Sequence, residues 1–141
     1  MKERDSLGLR GPLPTWQEPG VTAIGRAPMH ATFAPYPDRD AALAGEDSPL
    51  RISLDGTWRF TLVDAPDAAP ADWHARDFDD AAWSAIEVPT SWTLQGFGTP
   101  AYTNVRMPFA TEPPAVPAEN PTGLHRRRFT LPAEWDGRRV T

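Results

Sequence analysis

The sequence predicts an all-β fold, and two observations support this prediction. The chain of 141 residues contains 17 prolines and 10 glycines, a composition that favours loops and short strands over long helices. Between residues 57 and 63, the apolar side chains of Trp58, Phe60 and Leu62 alternate with polar ones, which is the period of a strand buried on one face. A chain of this length supports one domain, or part of one.

The composition disfavours several classes of protein. Nineteen acidic residues outnumber fourteen basic ones and give a net charge of −5, whereas a nucleic-acid-binding surface normally has a surplus of positive charge. The absence of cysteine excludes disulfides and cysteine-based metal sites and is compatible with a reducing cytoplasm. Residues 1–11 hold no apolar run of signal-peptide length, and no eighteen apolar residues occur in succession. We therefore expect a cytoplasmic protein without a nucleic-acid or membrane partner.

Residues 1–48 are predicted to form an extended arm. Prolines recur in this stretch and interrupt any helical or strand period. Its middle part is less polar than a linker, and we expect it to lie against another surface. The apolar side chains are spaced singly along it: Ile24, Met29, Phe33 and Tyr36. Only residues 38–43 favour a short helix.

Residues 49–141 are predicted to form the first part of a β-domain that is truncated at its carboxyl end. Besides the strand at residues 57–63, the pattern predicts extended segments at residues 83–88, 101–105, 124–131 and 138–141. Residues 72–82 favour one or two helical turns. Pro89 should end the second strand because it has no amide hydrogen, and Trp92 is predicted to fold back onto the sheet.

No pair of acidic residues is placed as acid–base catalysis requires. The acidic pairs fall in predicted turns or at helix starts, where carboxylates cap backbone amides: Asp38 with Asp40, Glu46 with Asp47, and Asp79 with Asp80. The three histidines, His30, His74 and His125, are too scattered to predict a metal cluster. The run Arg126-Arg127-Arg128 is interpreted as an exposed or ion-paired stripe.

Two residue types suggest a sugar ligand without requiring one. The chain has six tryptophans, and aromatic faces stack on sugar rings, although Trp58, Trp83 and Trp92 are predicted to be core residues. The side chain of Asn104 carries both a donor and an acceptor, which suits a hydroxyl-rich ligand. From the pattern alone, Asn104 is more simply a turn residue beside a proline-rich loop.

From about residue 24 onward, the order of several short elements resembles the amino-terminal part of family 2 glycoside hydrolases. Asp-Gly-Thr-Trp at residues 55–58 and Pro-Thr-Ser-Trp at residues 89–92 look like the family in general. Tyr-Thr-Asn-Val at residues 102–105 and Asn-Pro-Thr-Gly at residues 120–123 are similar to elements of its long β-galactosidases. His125 departs from that pattern, because an aromatic residue often follows the last element.

The resemblance implies an incomplete galactose-binding-like jelly-roll sandwich preceded by the proline-rich arm. It implies that Asn104 contacts the galactoside in an enzyme that hydrolyses terminal β-galactosides with retention. The family's catalytic glutamates and its magnesium and sodium ligands belong mainly to later parts of the chain, so this chain alone is expected to bind no cofactor and to be inactive. The arm resembles the segment that supports homo-tetramer assembly in the family.

Three alternatives remain open at this point. The first is a self-sufficient carbohydrate-binding module. The second is a separate polypeptide that complements the remainder of an enzyme chain. The third is part of a related β-glucuronidase or β-mannosidase, which share the sandwich but lack the two galactosidase-like elements.

Overall fold

A computed structural model describes residues 14–100, 111 and 115–140, and these residues form an antiparallel three-stranded sheet. The strands are β1 (Gly56–Val63), β2 (Ser84–Val88) and β3 (Thr122–Arg126), and β1 lies between the other two. One short α-helix, α1 (Arg39–Ala44), precedes the sheet, and the other helical pieces are single 3₁₀ turns. The predicted all-β class is confirmed.

The central strand β1 forms because its side chains alternate between two environments. Phe60 is fully buried, and Trp58 beside it lies opposite Ile86 of β2. On the other side, Phe60 lies opposite His125 of β3. Directly paired residues share a face of the sheet. We call the face that carries Trp58, Phe60 and His125 the aromatic face.

The segment that follows β2 covers the aromatic face. After a cis peptide bond between Val88 and Pro89, the chain enters the 3₁₀ turn Trp92–Gln95. The ring centroids of Trp92 and Phe97 lie 5.8 and 4.6 Å from that of Phe60. The prediction that Trp92 folds back onto the sheet is therefore confirmed.

The opposite face of the sheet, which carries Leu124 and Arg126, is covered by the loop between β1 and β2. The predicted helical turns at residues 72–82 are wrong, because this loop is a series of isolated turns. Its backbone carbonyl groups accept hydrogen bonds from arginines instead of from amides in a helix. Arg126 donates to the carbonyl oxygens of Trp73 and Ala75, and Arg128 donates to that of Phe78.

Asp80 connects this loop to the end of β3 and the residues just after it through two ion pairs. Its carboxylate lies 2.9 Å from Nε of Arg126 and 2.8 Å from Nη1 of Arg128, and its side chain is buried. The hydrogen bonds from Arg128 and Arg126 hold the pKa of Asp80 below its ordinary value, against the opposing effect of burial. Arg126 and Arg128 are therefore ion-paired, as one of the two interpretations of the arginine run predicted, whereas Arg127 donates to the carbonyl oxygens of Leu54 and Asp55.

The third strand is shorter than predicted. It ends at Arg126, and Phe129, which the sequence placed inside the strand, is 54% exposed. The pairing register accounts for residues 130 and 131, whose partners would lie before Gly56, where β1 begins. Residues 127–129 would still lie opposite β1, and there the side chain of Arg127 donates to the carbonyl oxygens of Leu54 and Asp55. Residues 138–140 form no strand, which corrects the prediction of a new strand there.

The described part of the arm contains one regular element besides a single 3₁₀ turn. The side chain of Asp38 accepts a hydrogen bond from the amide of Ala41 at 2.9 Å and starts α1, and Gly45 ends it in a left-handed conformation. The hydroxyl group of Tyr36 donates to the carbonyl oxygen of Glu46 at 3.0 Å. None of the helices in the described residues has the length and apolar character of a membrane span.

Replacing Asp80 should reduce stability strongly. Asp80→Asn is expected to lower the free energy of unfolding by about 3 kcal/mol, because Arg126, whose side chain is only 10% exposed, would lose its counter-charge. The control is Asp79→Asn, which retains a side-chain oxygen for the amide of Ala81 and should change the value by less than about 0.5 kcal/mol. Urea denaturation followed by tryptophan fluorescence measures both. Equal losses in the two variants would contradict the role of Asp80.

The same ion pairs predict how stability depends on pH. Because the pKa of Asp80 is lower in the folded state than its ordinary value of 3.8, the folded state binds fewer protons there. The stabilisation contributed by the ionised Asp80 carboxylate is therefore fully present above pH 3.8. It is lost as the pH falls through the folded-state pKa of Asp80. Urea midpoints of the unchanged chain should decrease across this range more steeply than those of Asp80→Asn. If the urea midpoints of the unchanged chain and of Asp80→Asn decrease in parallel with falling pH, Asp80 does not have this role.

Candidate functional site

The residue predicted to contact sugar, Asn104, lies outside the described residues. The structure instead describes the two chain segments that lead into and out of the part of the chain that contains it. The outgoing segment, residues 89–100, follows β2, and the incoming segment, residues 115–121, precedes β3. These two segments hold the two ends of the part of the chain that contains Asn104, so their positions on the sheet locate those ends.

The outgoing segment is fastened to β2 by the side chain of Gln95. Its oxygen accepts a hydrogen bond from the amide of Glu87 at 2.8 Å, and its nitrogen donates to the carbonyl oxygen of Glu87 at 2.9 Å. The same nitrogen donates to the hydroxyl oxygen of Thr90, and that hydroxyl group donates to the carbonyl oxygen of Glu87 at 2.6 Å. The carboxamide thus takes the place that a neighbouring strand would occupy. We call this arrangement the Gln95 clamp.

The incoming segment is fastened to the end of β1. The amide of Asn120 donates to the carbonyl oxygen of Asp64 at 3.0 Å. The hydroxyl group of Thr122 then donates to the carbonyl oxygen of Asn120 at 2.9 Å, which supports the turn into β3. The Asn-Pro-Thr-Gly element therefore has a structural function at the point where the chain returns to the sheet.

The two segments meet where the Trp92 ring packs on Gly123. A side-chain carbon at position 123 would lie 2.8 Å from Cε2 of Phe60 and even closer to two atoms of the Trp92 ring. Carbon atoms do not approach that closely without displacement, so only glycine fits under the ring. Two sequence elements that are about thirty residues apart thereby form a single packed contact.

His125 extends this contact along the aromatic face. Its ring centroid lies 4.8 Å from that of Phe60, 6.1 Å from that of Trp92 in a stacked arrangement, and 6.4 Å from that of Trp58. The side chain is half-buried. The imidazole therefore occupies an aromatic environment.

The described residues bring together no pair of carboxyl groups suited to acid–base catalysis. Asp80 is the buried acidic residue among them, and its two arginine partners lower its pKa and keep it ionised, so it cannot donate a proton near neutral pH. Asp38 caps α1, and Asp79 accepts from the amide of Ala81 at 3.0 Å, as expected for turn residues. In the described ranges, no three acidic or histidine side chains gather to hold a metal ion. The magnesium and sodium ions implied by the resemblance therefore stay a prediction for the longer protein.

The tryptophans have different environments. Trp58, Trp83 and Trp92, predicted as core residues, are half-buried rather than fully buried. Trp135 is buried, and its indole nitrogen has no hydrogen-bond partner among the described residues, whereas Trp16 is exposed. Trp58 and Trp92 lie on the aromatic face, whereas Trp83 packs against Phe78 of the loop between β1 and β2, with their ring centroids 5.6 Å apart.

Sequence reasoning missed the Gln95 clamp and the pairing of Asp80 with the arginines. No local pattern marks Gln95, because its partner Glu87 lies eight residues away across a turn. For the arginines a partial signal exists, since residues two apart in a strand share a face and Arg126 and Arg128 could have been expected to share one acidic partner.

The comparisons with known proteins agree with these elements. Residues 51–141 match the family described as glycosyl hydrolases family 2, sugar binding domain. The chain is 45% identical over 126 residues to a β-galactosidase of Psychromonas ingrahamii, covering 89% of this chain. It is 41% identical over 128 residues to a β-galactosidase of Aeromonas hydrophila subsp. hydrophila, covering 85% of this chain. The chain spans 12% of the length of each of these curated relatives.

The contact between Trp92 and Gly123 predicts the effect of adding one methyl group. Gly123→Ala should lower the free energy of unfolding by about 1–3 kcal/mol, because the added carbon overlaps the rigid rings of Trp92 and Phe60. Gly20→Ala is the matched control, since a side-chain carbon there meets no atom within 4 Å. Denaturant titrations of both variants measure the difference. If the two variants lose equal stability, the packing of the Trp92 ring does not require glycine at position 123.

Proposed function

This chain belongs to the sugar-binding domain family of family 2 glycosyl hydrolases, and we propose that it supplies the amino-terminal part of a β-galactosidase. The proposed reaction of the whole protein is hydrolysis of terminal β-galactosides with retention of configuration. The observation that carries the proposal is the 45% identity to a protein named β-galactosidase across 89% of this chain. Because the chain spans 12% of that relative, the bond chemistry is assigned to residues outside it.

Within this proposal the chain contributes a wall of the sugar pocket. Retaining glycosidases use two carboxyl groups about 5–5.5 Å apart, and the described residues contain no candidate pair. Asn104 is proposed to orient the galactoside, because its carboxamide can accept from one sugar hydroxyl group and donate to another. The Gln95 clamp and the contact between Trp92 and Gly123 support this division, since they hold to the sheet both segments that flank the part of the chain containing Asn104.

We further propose that the arm contacts another subunit in a homo-tetramer of the full-length protein. Support comes from large apolar side chains that the described fold leaves in solvent. Ile24, Met29 and Phe33 are 69%, 93% and 70% exposed, and they lie in a stretch without helix or strand. Apolar side chains spaced along an extended segment are typical of a surface that packs on a partner.

A chimera tests the proposed role of Asn104. This chain would replace the matching segment of the Psychromonas ingrahamii relative, and hydrolysis of a nitrophenyl β-galactoside would be measured. The chimera should be active, and Asn104→Ala should lower kcat/KM about tenfold or more, as expected for a lost hydrogen bond to a sugar hydroxyl group. The 141-residue chain alone should show no turnover.

The matched control is Asn120→Ala, which removes the same carboxamide but keeps the backbone hydrogen bonds of Asn120 to Asp64 and Thr122. It should retain most of the chimera's activity. Equal losses in the two variants would contradict a sugar contact specific to Asn104. Turnover by the purified 141-residue chain would contradict the assignment of the chemistry to residues outside it.

The arm proposal predicts a change in assembly. In the chimera, Met29→Asp should shift the population from tetramer toward smaller species, because a charge would be buried at the subunit contact. Leu94→Asp is the control, since Leu94 is 85% exposed but lies on the turn after β2. Sedimentation velocity distinguishes the species. An unchanged distribution for Met29→Asp would refute the arm contact.

A further inference from the structure

The outer edge of β2 is closed on the side of Ala85 that leads to the Gln95 clamp. In an antiparallel pair, successive residues point their backbone groups alternately toward the partner strand and away from it. The amide and carbonyl groups of Glu87 bind Gln95 and therefore point away from β1, so alternation makes Ala85 the other outward-facing residue of the strand. Pro89, two residues after Glu87, has no amide hydrogen. The edge therefore lacks a free donor at both positions.

On the other side of Ala85, the residue before the strand, Trp83, is closed in a different way. Its amide donates to the carbonyl oxygen of Asp80 at 3.0 Å, and its carbonyl oxygen accepts from Nη1 of Arg59 at 3.1 Å. Among the described residues, no partner is recorded for the outward amide and carbonyl groups of Ala85. Ala85 is therefore an open position between two closed ones.

Without the clamp, the edge of β2 would be complementary to itself. Two copies of the strand can pair antiparallel about a two-fold axis at Ile86, which places Ala85 of each copy opposite Glu87 of the other. Both residues face outward, so each such pair would exchange its two backbone hydrogen bonds. No like charges lie directly opposite each other in this register, and Ile86 meets the same apolar residue of the second copy. The sequence of β2 thus suits pairing with a second copy of this chain.

The Gln95 clamp blocks this register, because the backbone groups of Glu87 already have partners. Gln95 binds them at 2.8 and 2.9 Å, so Ala85 of a second copy would find neither a donor nor an acceptor there. The nitrogen of Gln95 is itself held by the hydroxyl oxygen of Thr90. A register that pairs Ala85 with Ala85 of the second copy would set Trp83 opposite Glu87, where the backbone groups of both residues are occupied.

We propose that Gln95 keeps this chain from pairing with a second copy through β2, by binding the backbone groups of Glu87 that such pairing requires. Unpaired strand edges are templates for association between identical chains, and proteins close them with features that occupy or remove backbone groups. Here a single carboxamide closes the edge without adding a strand. This role of Gln95 is independent of the proposed function, because the contacts of the clamp lie within this chain.

Amide hydrogen exchange of the 141-residue chain, measured by NMR at several protein concentrations, tests this role of Gln95. In the unchanged chain, the amide of Ala85 should exchange fast at every concentration. In Gln95→Ala, the amides of Ala85 and Glu87 should exchange at least about tenfold more slowly at high concentration than at low concentration, because each then binds the second copy. The amide of Ile86 points toward β1 and reports in each sample whether the sheet is folded.

Further variants separate the clamp from other effects of substitution. Gln95→Asn keeps the carboxamide but is one methylene shorter, so it should not reach both groups of Glu87 and should behave as Gln95→Ala. Leu94→Ala changes the adjacent residue, whose side chain is 85% exposed, and should behave as the unchanged chain. Gln95→Ala combined with Ala85→Pro should lose the concentration dependence at Glu87, because proline removes the outward amide and is tolerated on an edge strand.

Two results would overturn the proposal. The first is fast exchange of Ala85 at every concentration in Gln95→Ala or Gln95→Asn while Ile86 stays protected, because an open edge would then attract no second copy. The second is protection of Ala85 that rises with concentration in the unchanged chain, because the clamp would then not close the edge. This second measurement needs no substitution, so it tests the proposal even where a variant does not fold.

Discussion

The packing of the Trp92 ring on Gly123 is the constraint on which the arrangement of the loops depends. A methyl group at position 123 would overlap both that ring and the ring of Phe60, so the close approach requires a residue without a side chain. Trp92 follows β2 and Gly123 belongs to β3, and the contact therefore joins two elements that the sheet topology alone leaves separate. The hydrogen bonds of Gln95 and Asn120 then fix the direction in which each segment leaves the sheet.

The two faces of the sheet are held by different kinds of interaction. Aromatic rings cover the face of Phe60, while the opposite face depends on the buried carboxylate of Asp80 and its two arginines. Burying charges costs solvation free energy, which is offset only where the partners satisfy one another by hydrogen bonds. Here the arginines also bind the carbonyl oxygens of the loop, so the ion pairs order the backbone between β1 and β2. This order comes from the side chains of Arg126 and Arg128, at the end of β3 and just beyond it, not from local helix propensity.

Particular residues show how far sequence reasoning reaches. Strand β1 was predictable because Trp58, Phe60 and Leu62 alternate, and α1 because Asp38 is a strong helix start. The turns at residues 72–82 were not predictable, since the groups that bind their carbonyl oxygens lie about fifty residues away in the chain. That β3 ends at Arg126 was not predictable either, and the register does not account for it, since residues 127–129 would still lie opposite β1. Asn104 was selected by resemblance to a family, and its role as a sugar ligand stays a prediction.

The proposed role of this chain is to position the residues around Asn104, while the cleavage chemistry is proposed to belong to the rest of a longer protein. This division requires that the two segments on either side of those residues meet on the sheet. Nuclear Overhauser measurements on the folded chain test this directly. Cross-peaks are expected between the α protons of Gly123 and the Hε3 and Hζ3 protons of Trp92. Their absence, in a sample where cross-strand peaks between β1 and β3 are present, would contradict this division.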